Sequence, residues 1–266
     1  MIISGLQKTT LLDYPGHVAA TIFLGGCNFR CPFCHNMNIV EIGTSNGSEN
    51  LQGEGVNNNF YSEDEILAFL QKRASVLEGV CITGGEPTLN KELPSFIRKI
   101  KSIKAGDSWN SSEDSSSFLI KLDTNGTNPE MLKSLIDEGL IDYVAMDIKS
   151  SKDKYLEATG IDSHNCENII KGNSIIEKVQ KSIDILIESQ IEYEFRTTVV
   201  KQMHDEDAIR GIGELIKGAK KHYLQSFIDS EYVKDHTLTN CDKELLEKFR
   251  NIIAEYVDEA YIRGVD

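Results

Sequence analysis

Val18-Ala19-Ala20-Thr21-Ile22-Phe23-Leu24-Gly25-Gly26-Cys27-Asn28-Phe29-Arg30-Cys31-Pro32-Phe33-Cys34 is the stretch on which the reading of this chain turns. The apolar and β-branched run Val18–Leu24 predicts a buried strand, and Gly25-Gly26 breaks it. Working outward, further short apolar runs appear at Val80–Thr83, Phe118–Leu122, Tyr143–Met146, Glu192–Val200 and Tyr223–Ile228. Between them lie stripes with helical spacing. Ser62 and Glu65 form a capping-box pattern ahead of Ile66, Leu67, Leu70, Ala74 and Leu77. Asn128-Pro129 starts a second helix with Leu132, Leu135 and Ile136 on one face, and Gly139 stops it. A third stripe carries Ile175, Ile176, Val179, Ile183, Leu186 and Ile187; the last runs from Leu245 and Leu246 through Phe249, Ile252, Ile253, Tyr256 and Val257 to Ala260. Strands alternating with amphipathic helices predict parallel βαβ units, hence an α/β fold: a small or incomplete barrel, or an open sheet.

Three polar stretches near 43–59, 106–117 and 161–173 interrupt the rhythm. Their Ser, Asn, Gly and Glu content reads as mobile surface insertions in one domain spanning 1–266, since such composition buries little apolar surface. The 266 residues include 28 basic and 42 acidic side chains, a net charge of −14, which repels phosphate backbones and acidic lipid. Nucleic acid and membrane are therefore not expected partners. Mean hydropathy is −0.29, and no apolar run approaches the roughly 18 residues of a membrane span. Met1 leads into Ile2-Ile3-Ser4-Gly5 without a basic and then apolar leader, so the expected location is cytoplasmic.

Three of the six cysteines, Cys27, Cys31 and Cys34, crowd into eight residues, while Cys81, Cys166 and Cys241 stand apart. A disulfide framework spaces its cysteines differently. A structural zinc site normally has four ligands, and the sequence offers no second Cys or His pair at suitable spacing; His35 beside Cys34 is awkwardly placed for the task. Three thiolates on an iron–sulfur cluster, departing from the usual four, leave one iron able to bind a substrate or cofactor. Downstream, Gly84-Gly85-Glu86-Pro87 follows a strand, its glycines allowing close backbone approach and its carboxylate able to accept from an ammonium. Asp123-Thr124-Asn125-Gly126 and Asp147-Ile148-Lys149 end two further strands, and Arg196 puts a charge inside the apolar run 192–200, where a guanidinium requires an acceptor. These polar clusters fall at the C-terminal ends of expected parallel strands, the face on which such sheets build sites.

The CxxxCxxC spacing with an aromatic residue before the third Cys resembles the signature of the radical S-adenosylmethionine (SAM) enzymes, and the later motifs follow in the family's order. The resemblance runs from about Gly5 to Asp229. Through Leu12-Asp13-Tyr14-Pro15-Gly16 and the segments at 84–89, 121–129, 142–149 and 193–200, it is to the activating proteins of anaerobic ribonucleoside-triphosphate reductase. It implies a single-domain partial TIM-type (β/α)6 barrel. It implies a 4Fe-4S cluster on Cys27, Cys31 and Cys34, and SAM held by Phe33, Cys34, His35, Gly84, Gly85, Glu86, Asp123, Thr124, Asn125, Asp147, Lys149 and Arg196. In pyruvate formate-lyase activating enzymes, positions matching Asp123 and Asp147 help bind a monovalent cation, with backbone carbonyls here of Thr124 and Ala145. Leu224-Gln225-Ser226-Phe227 matches a region bordering adenine, though the histidine some activators carry just after it is absent. The implied reaction is reductive cleavage of SAM, the resulting 5'-deoxyadenosyl radical taking hydrogen from a glycine of a partner glycyl radical enzyme. No catalytic side chain separate from cluster and SAM is then needed, and a reductant such as flavodoxin or ferredoxin is implied. The alternatives are an activator of another glycyl radical enzyme such as pyruvate formate-lyase, a radical SAM synthase acting on a small molecule, and a zinc-stabilised interaction module.

Overall fold

The computed structural model describes residues 1–40, 60–104, 117–161 and 166–265, the side chains of 166–173 excepted. The strands are β1 (Ile3–Thr10), β2 (Ala19–Leu24), β3 (Gly79–Gly84), β4 (Leu119–Thr124), β5 (Tyr143–Asp147), β6 (Glu192–Val199), β7 (Lys221–Ser226) and β8 (Glu259–Arg263), and their order in the sheet follows the chain. The helices are α1 (Met37–Val40), α2 (Glu63–Arg73), α3 (Leu93–Lys101), α4 (Pro129–Asp137), α5 (Tyr155–Ala158), α6 (Cys166–Glu188), α7 (Glu206–Leu215) and α8 (Lys243–Ile253). The six strands read from sequence are β2 to β7, each within two residues of its expected limits, and the fold is α/β with a largely parallel sheet.

Contacts divide the chain into two compact units. The first comprises Met1–Asn28, Asn38–Asp123 and Ser134–Val144. Here β1 runs antiparallel to β2, and β2, β3 and β4 are mutually parallel neighbours, with Thr21 opposite Cys81 and Cys81 opposite Lys121. Its core is Ala20, Ile22, Leu24, Val80, Ile82, Ile120 and Leu122, faced by Ile66 and Leu70 of α2 and by Phe96, Ile97 and Ile100 of α3. The capping box is formed as read: Ser62 Oγ accepts from Glu65 N–H, and the Glu65 carboxylate accepts from Ser62 N–H.

The second unit comprises Phe29–Met37, Thr124–Lys133 and Ala145–Asp266, in which β6, β7 and β8 are parallel neighbours. Asp205 caps α7 by accepting from Ala208 N–H, and Asp242 caps α8 by accepting from Leu245 N–H. Val179, Ile183 and Leu186 of α6 and Ile209 and Ile212 of α7 are buried with Phe195, Val199 and Leu224 of the strands.

The structure corrects several expectations. β1 and β8 were not foreseen, because Gln7-Lys8 and Glu259, exposed on edge strands, dilute the alternation that marks a strand. The final helical stripe ends at Ile253; Tyr256 N–H turns back to Ile253 O, and Ala260 belongs to β8. The third polar stretch was expected as a loop, but α6 already begins at Cys166. Positions 43–59, 106–116 and 162–165 of the polar stretches lie outside the described residues.

Candidate active site

In the first unit the start of the cysteine loop is tied to the Gly84–Glu86 turn by backbone alone. Gly85 N–H donates to Leu24 O and Glu86 N–H to Gly26 O, both at 2.8 Å. Gly26 N–H donates to Ile39 O and Cys27 N–H to Val40 O, which makes α1 the outer wall of this turn. A Cβ at position 85 would sit 2.0 Å from Gly26 O and 3.2 Å from Cys27 Cβ, so only glycine permits the approach. Glu86 is fully buried, and its Oε1 accepts from Thr88 N–H at 3.1 Å and from Thr88 Oγ at 2.5 Å. At the end of β4 the Asp123 carboxylate is ion-paired with Lys121, whose side chain is only 2% exposed. Lys121 Nζ also stands 3.8 Å from Cys81 Sγ, so this buried cysteine has an ammonium for a neighbour.

The rest of the cysteine loop belongs to the second unit. Arg30 N–H donates to Thr159 O at 2.9 Å, and a Cβ on Gly160 would meet Arg30 O at 2.1 Å. Cys34 N–H donates to Cys31 O, giving a tight turn around Pro32 and the buried Phe33, and Asp235 N–H reaches Pro32 O. His35 packs against Phe227, ring centroids 5.8 Å apart, so the segment matched to an adenine border meets the cysteine loop. Burial, and then the Lys149 charge, lower the His35 pKa, with Asp229 opposing.

Asp147, at the end of β5, accepts from Arg196 Nε at 2.9 Å on one oxygen and from Lys149 Nζ at 3.0 Å on the other. Burial pushes its pKa up, but the two cations outweigh it and hold the carboxyl at about 2. Burial works against the charged form of Lys149 as well; Asp147 and the Cys31 and Cys34 thiols overcome it and raise that pKa. Arg196 therefore has the acceptor its place in a strand requires. One carboxylate thus orients two cationic side chains, groups of the kind that pair with a carboxylate. Thr124 Oγ accepts from Gly126 N–H, and Asn125 Oδ1 accepts from Thr127 N–H and Thr127 Oγ, so both shape the turn after β4.

Sequence reasoning missed Lys121 and His204. The charge of Lys121 inside the apolar run 118–122 was an available signal. His204 carried none: its Nδ1 accepts from Val200 N–H at 3.1 Å and its Nε2 lies 3.0 Å from Lys149 O, fixing the backbone of that lysine.

Among the described residues no cysteine forms a disulfide, and no three His, Cys, Asp or Glu side chains converge as one metal ion would need. A cluster makes a different demand, since its thiolates bind separate irons. Three soft thiols on a loop pinned by backbone at Cys27 and at Arg30, two of them, Cys31 and Cys34, near the Lys149 ammonium, suit that demand. Of the two carboxylates matched to a monovalent-cation site, Asp123 pairs with Lys121, and Asp147 pairs with Lys149 and Arg196.

A parallel α/β sheet with a three-cysteine loop after its first parallel strand defines a cluster-bearing enzyme class. The profile of the Radical SAM superfamily matches residues 21–213, and the chain belongs to that family as a radical SAM enzyme. The family implies a 4Fe-4S cluster and SAM. A Methanocaldococcus jannaschii protein named "putative glycyl-radical enzyme activating enzyme" is 32% identical over 270 residues, covering 100% of this chain and 97% of that one. A "probable GTP 3',8-cyclase" of Saccharolobus solfataricus is 25% identical over 161 residues, 60% of this chain and 41% of its own. Streptococcus suis SuiB bound to its precursor peptide SuiA has a TM-score of 0.57 at 13% identity, over 92% of this chain. The anSMEcpe protein with bound AdoMet has a TM-score of 0.55 at 16% identity, over 90%. The chain spans 48% and 61% of those two solved chains, and the likeness is one of fold. Among the described residues no helix is long and apolar enough to cross a membrane.

Proposed function

We propose that this chain is a glycyl radical enzyme activating enzyme whose partner is an anaerobic ribonucleoside-triphosphate reductase, working in the cytoplasm with a flavodoxin or ferredoxin as reductant. The observation that carries the reading is the alignment with the M. jannaschii activating enzyme, which leaves no part of this chain unmatched. In this reading Cys27, Cys31 and Cys34 hold the 4Fe-4S cluster within a single radical SAM domain. When bound, cluster and SAM together supply the electron transfer that breaks the sulfonium carbon–sulfur bond and the radical that takes hydrogen from the partner's glycine.

The chain's own residues bind, orient and exclude water. Lys149 and Arg196, oriented by Asp147, receive the SAM carboxylate as charge-assisted partners. The Gly84–Glu86 turn offers backbone and carboxylate to the SAM ammonium. Phe33 and His35 with Phe227 contribute apolar surface near the loop, and Thr124 and Asn125 shape the turn beside Asp123. No side chain of this set is asked to transfer a proton, consistent with an Asp147 carboxyl held ionised.

The test is an anaerobic mixture of reconstituted protein, SAM, dithionite and candidate reductase, followed by electron paramagnetic resonance. A glycyl doublet is the expected result. SAM cleavage without a doublet removes the reductase and points to another glycyl radical enzyme. Turnover of a small molecule without any protein partner, the chemistry in the name of the S. solfataricus relative, replaces the activase reading altogether.

A further inference from the structure

We propose that the Tyr155 hydroxyl is a hydrogen-bond donor to the Cys31 thiolate of the cluster and thereby raises the cluster's reduction potential. The proposal rests on the reading of Cys31 and Cys34 as cluster ligands.

All the groups concerned lie in the second unit. Tyr155 opens α5, the short helix to which the cysteine loop is tied: Arg30 N–H donates to Thr159 O, and Thr159 in turn donates from N–H and Oγ to Tyr155 O at 3.0 and 2.8 Å. The Tyr155 ring meets the Phe29 ring edge to face, with centroids 6.4 Å apart, two residues before Cys31. Both rings are buried, as is Cys31, and Tyr155 has no exposed surface.

The hydroxyl at the end of this ring is buried and makes no hydrogen bond of normal geometry. A group in that position calls for a partner that the polypeptide does not supply. Burial raises the pKa of the phenol; the Lys149 charge and main chain oppose this, and Cys31 and Asp147 add to it. The phenol therefore keeps its proton throughout the neutral range and acts as a donor. The Lys149 main chain favours charge on the phenol oxygen, as a donor does, and so offers the phenolic proton nothing. Of the two anionic groups that act on the phenol, Asp147 already accepts from Arg196 on one oxygen and from Lys149 on the other. Cys31 differs. As a thiol it is a weak acceptor, but as a cluster ligand it is a thiolate, and a hydrogen bond to an anion is about twice as strong as a neutral one. Donation to a ligating sulfur draws off negative charge and favours the reduced cluster, which raises the potential.

The experiment compares the anaerobically reconstituted protein with its Tyr155→Phe variant, which keeps the ring against Phe29. Redox titration followed by electron paramagnetic resonance, without SAM, should place the cluster of the variant at a more negative potential. Electron–nuclear double resonance of reduced wild type, before and after exchange into heavy water, should show an exchangeable proton coupling that the variant lacks. Urea unfolding of the two cluster-free proteins should find the variant at least as stable as wild type, because the hydroxyl it loses had no partner there. A structural role alone would destabilise the cluster-free variant and leave the potential unmoved, and that result overturns the proposal. An unmoved potential with weakened SAM binding assigns the hydroxyl to SAM and overturns it equally. If Tyr155→Phe assembles no cluster, 3,5-difluorotyrosine incorporated at position 155 decides the matter: as a stronger donor it should move the potential upward, and no movement overturns the proposal. Iron retained in a double Cys31→Ala, Cys34→Ala variant overturns the ligand reading and this role with it. The glycyl doublet does not enter these measurements, so failure of the activase reading is seen separately.

Discussion

Arg196 Nε donates to Asp147 Oδ1 at 2.9 Å, joining the middle of β6 to the end of β5. The bond is reinforced by the main chain, where Ile148 N–H donates to Arg196 O at 2.8 Å. Asp147 is thereby aimed by a guanidinium on one side and by Lys149 on the other. The predicted consequence is that Asp147→Asn weakens SAM binding about tenfold, about 1.4 kcal/mol, because both cations lose the anion that orients them. Arg196→Lys should do the same, since an ammonium lacks the planar fork. The cluster absorbance of both variants should match wild type, and unchanged SAM affinity in both by titration would sink this role. The carboxyl also carries a pH signature. With its pKa lowered to about 2, its contribution to stability is complete above the ordinary carboxylate value of 3.8 and is lost as pH falls from there toward 2.

The three clustered cysteines predict a separable result. Ala at Cys27, Cys31 or Cys34 should abolish iron incorporation, whereas Ala at Cys241, buried far along the chain, should leave iron content near wild type. Iron determination after anaerobic reconstitution checks it. Iron surviving in the triple variant would mean that other ligands hold the cluster.

Which parts of this were legible in the sequence follows from where the signals are local. The strands β2, β3 and β5 announced themselves as nearly continuous apolar runs, as burial on both faces requires, whereas β4, β6 and β7 were legible from shorter apolar stretches interrupted by polar residues. Motif residues at strand ends were legible for the same reason, since a polar group after such a run has few structural uses. Pairing partners were not. That Arg196 needs an acceptor could be argued from burial, but that the acceptor is Asp147, 49 positions earlier, is a property of the tertiary fold. Glu194 is a harder case: 1% exposed, it is forked by Arg263 at 2.7 and 2.9 Å, and Arg263 lies 3.4 Å over the Tyr223 ring. Its partner lies on β8, an edge strand whose exposed residues gave no alternation to read.

The glycines that pin the cysteine loop make a third prediction, one for each unit. Gly85→Ala places a methyl 2.0 Å from Gly26 O, and Gly160→Ala places one 2.1 Å from Arg30 O, in both cases against backbone that side-chain rotation cannot relieve. Gly160 adds a φ of +70°, which alanine adopts at a cost of about 1 kcal/mol. Both variants should therefore lose cluster occupancy out of proportion to their loss of fold. Gly218→Ala is the control: it has similar φ but nothing within 4 Å of the added carbon. Its iron content should follow wild type even though it bears the same backbone strain. Equal iron loss in Gly160→Ala and Gly218→Ala would mean that strain, and not the approach to the loop, is responsible at Gly160.

His222 makes the last prediction, and the argument runs through its hydrogen bonds. Thr197 Oγ donates to Ile148 O at 2.9 Å and lies 3.0 Å from His222 Nε2. Because the hydroxyl proton is committed to the carbonyl, the ring must donate from Nε2, and the chain His222 to Thr197 to Ile148 holds the backbone between Asp147 and Lys149. Nδ1 is buried with no hydrogen-bond partner, so a second proton on the ring would have no acceptor. Burial accordingly lowers the pKa to about 3. The unfolded chain, with an ordinary histidine pKa near 6.5, binds a proton that the folded protein does not. Stability therefore falls as pH drops below 6.5, with a slope of about 1.4 kcal/mol per unit until about pH 3. His222→Gln can still donate to Thr197 but does not titrate. His35 and His204, whose pKa values are also lowered, act equally in both proteins and cancel in the comparison. Between pH 6.5 and 5.5, anaerobic urea unfolding should show wild type losing about 1 kcal/mol more than His222→Gln. Parallel pH dependence of the two would mean that His222 takes up its proton in the folded state, and the assigned Nε2–H tautomer would then be wrong.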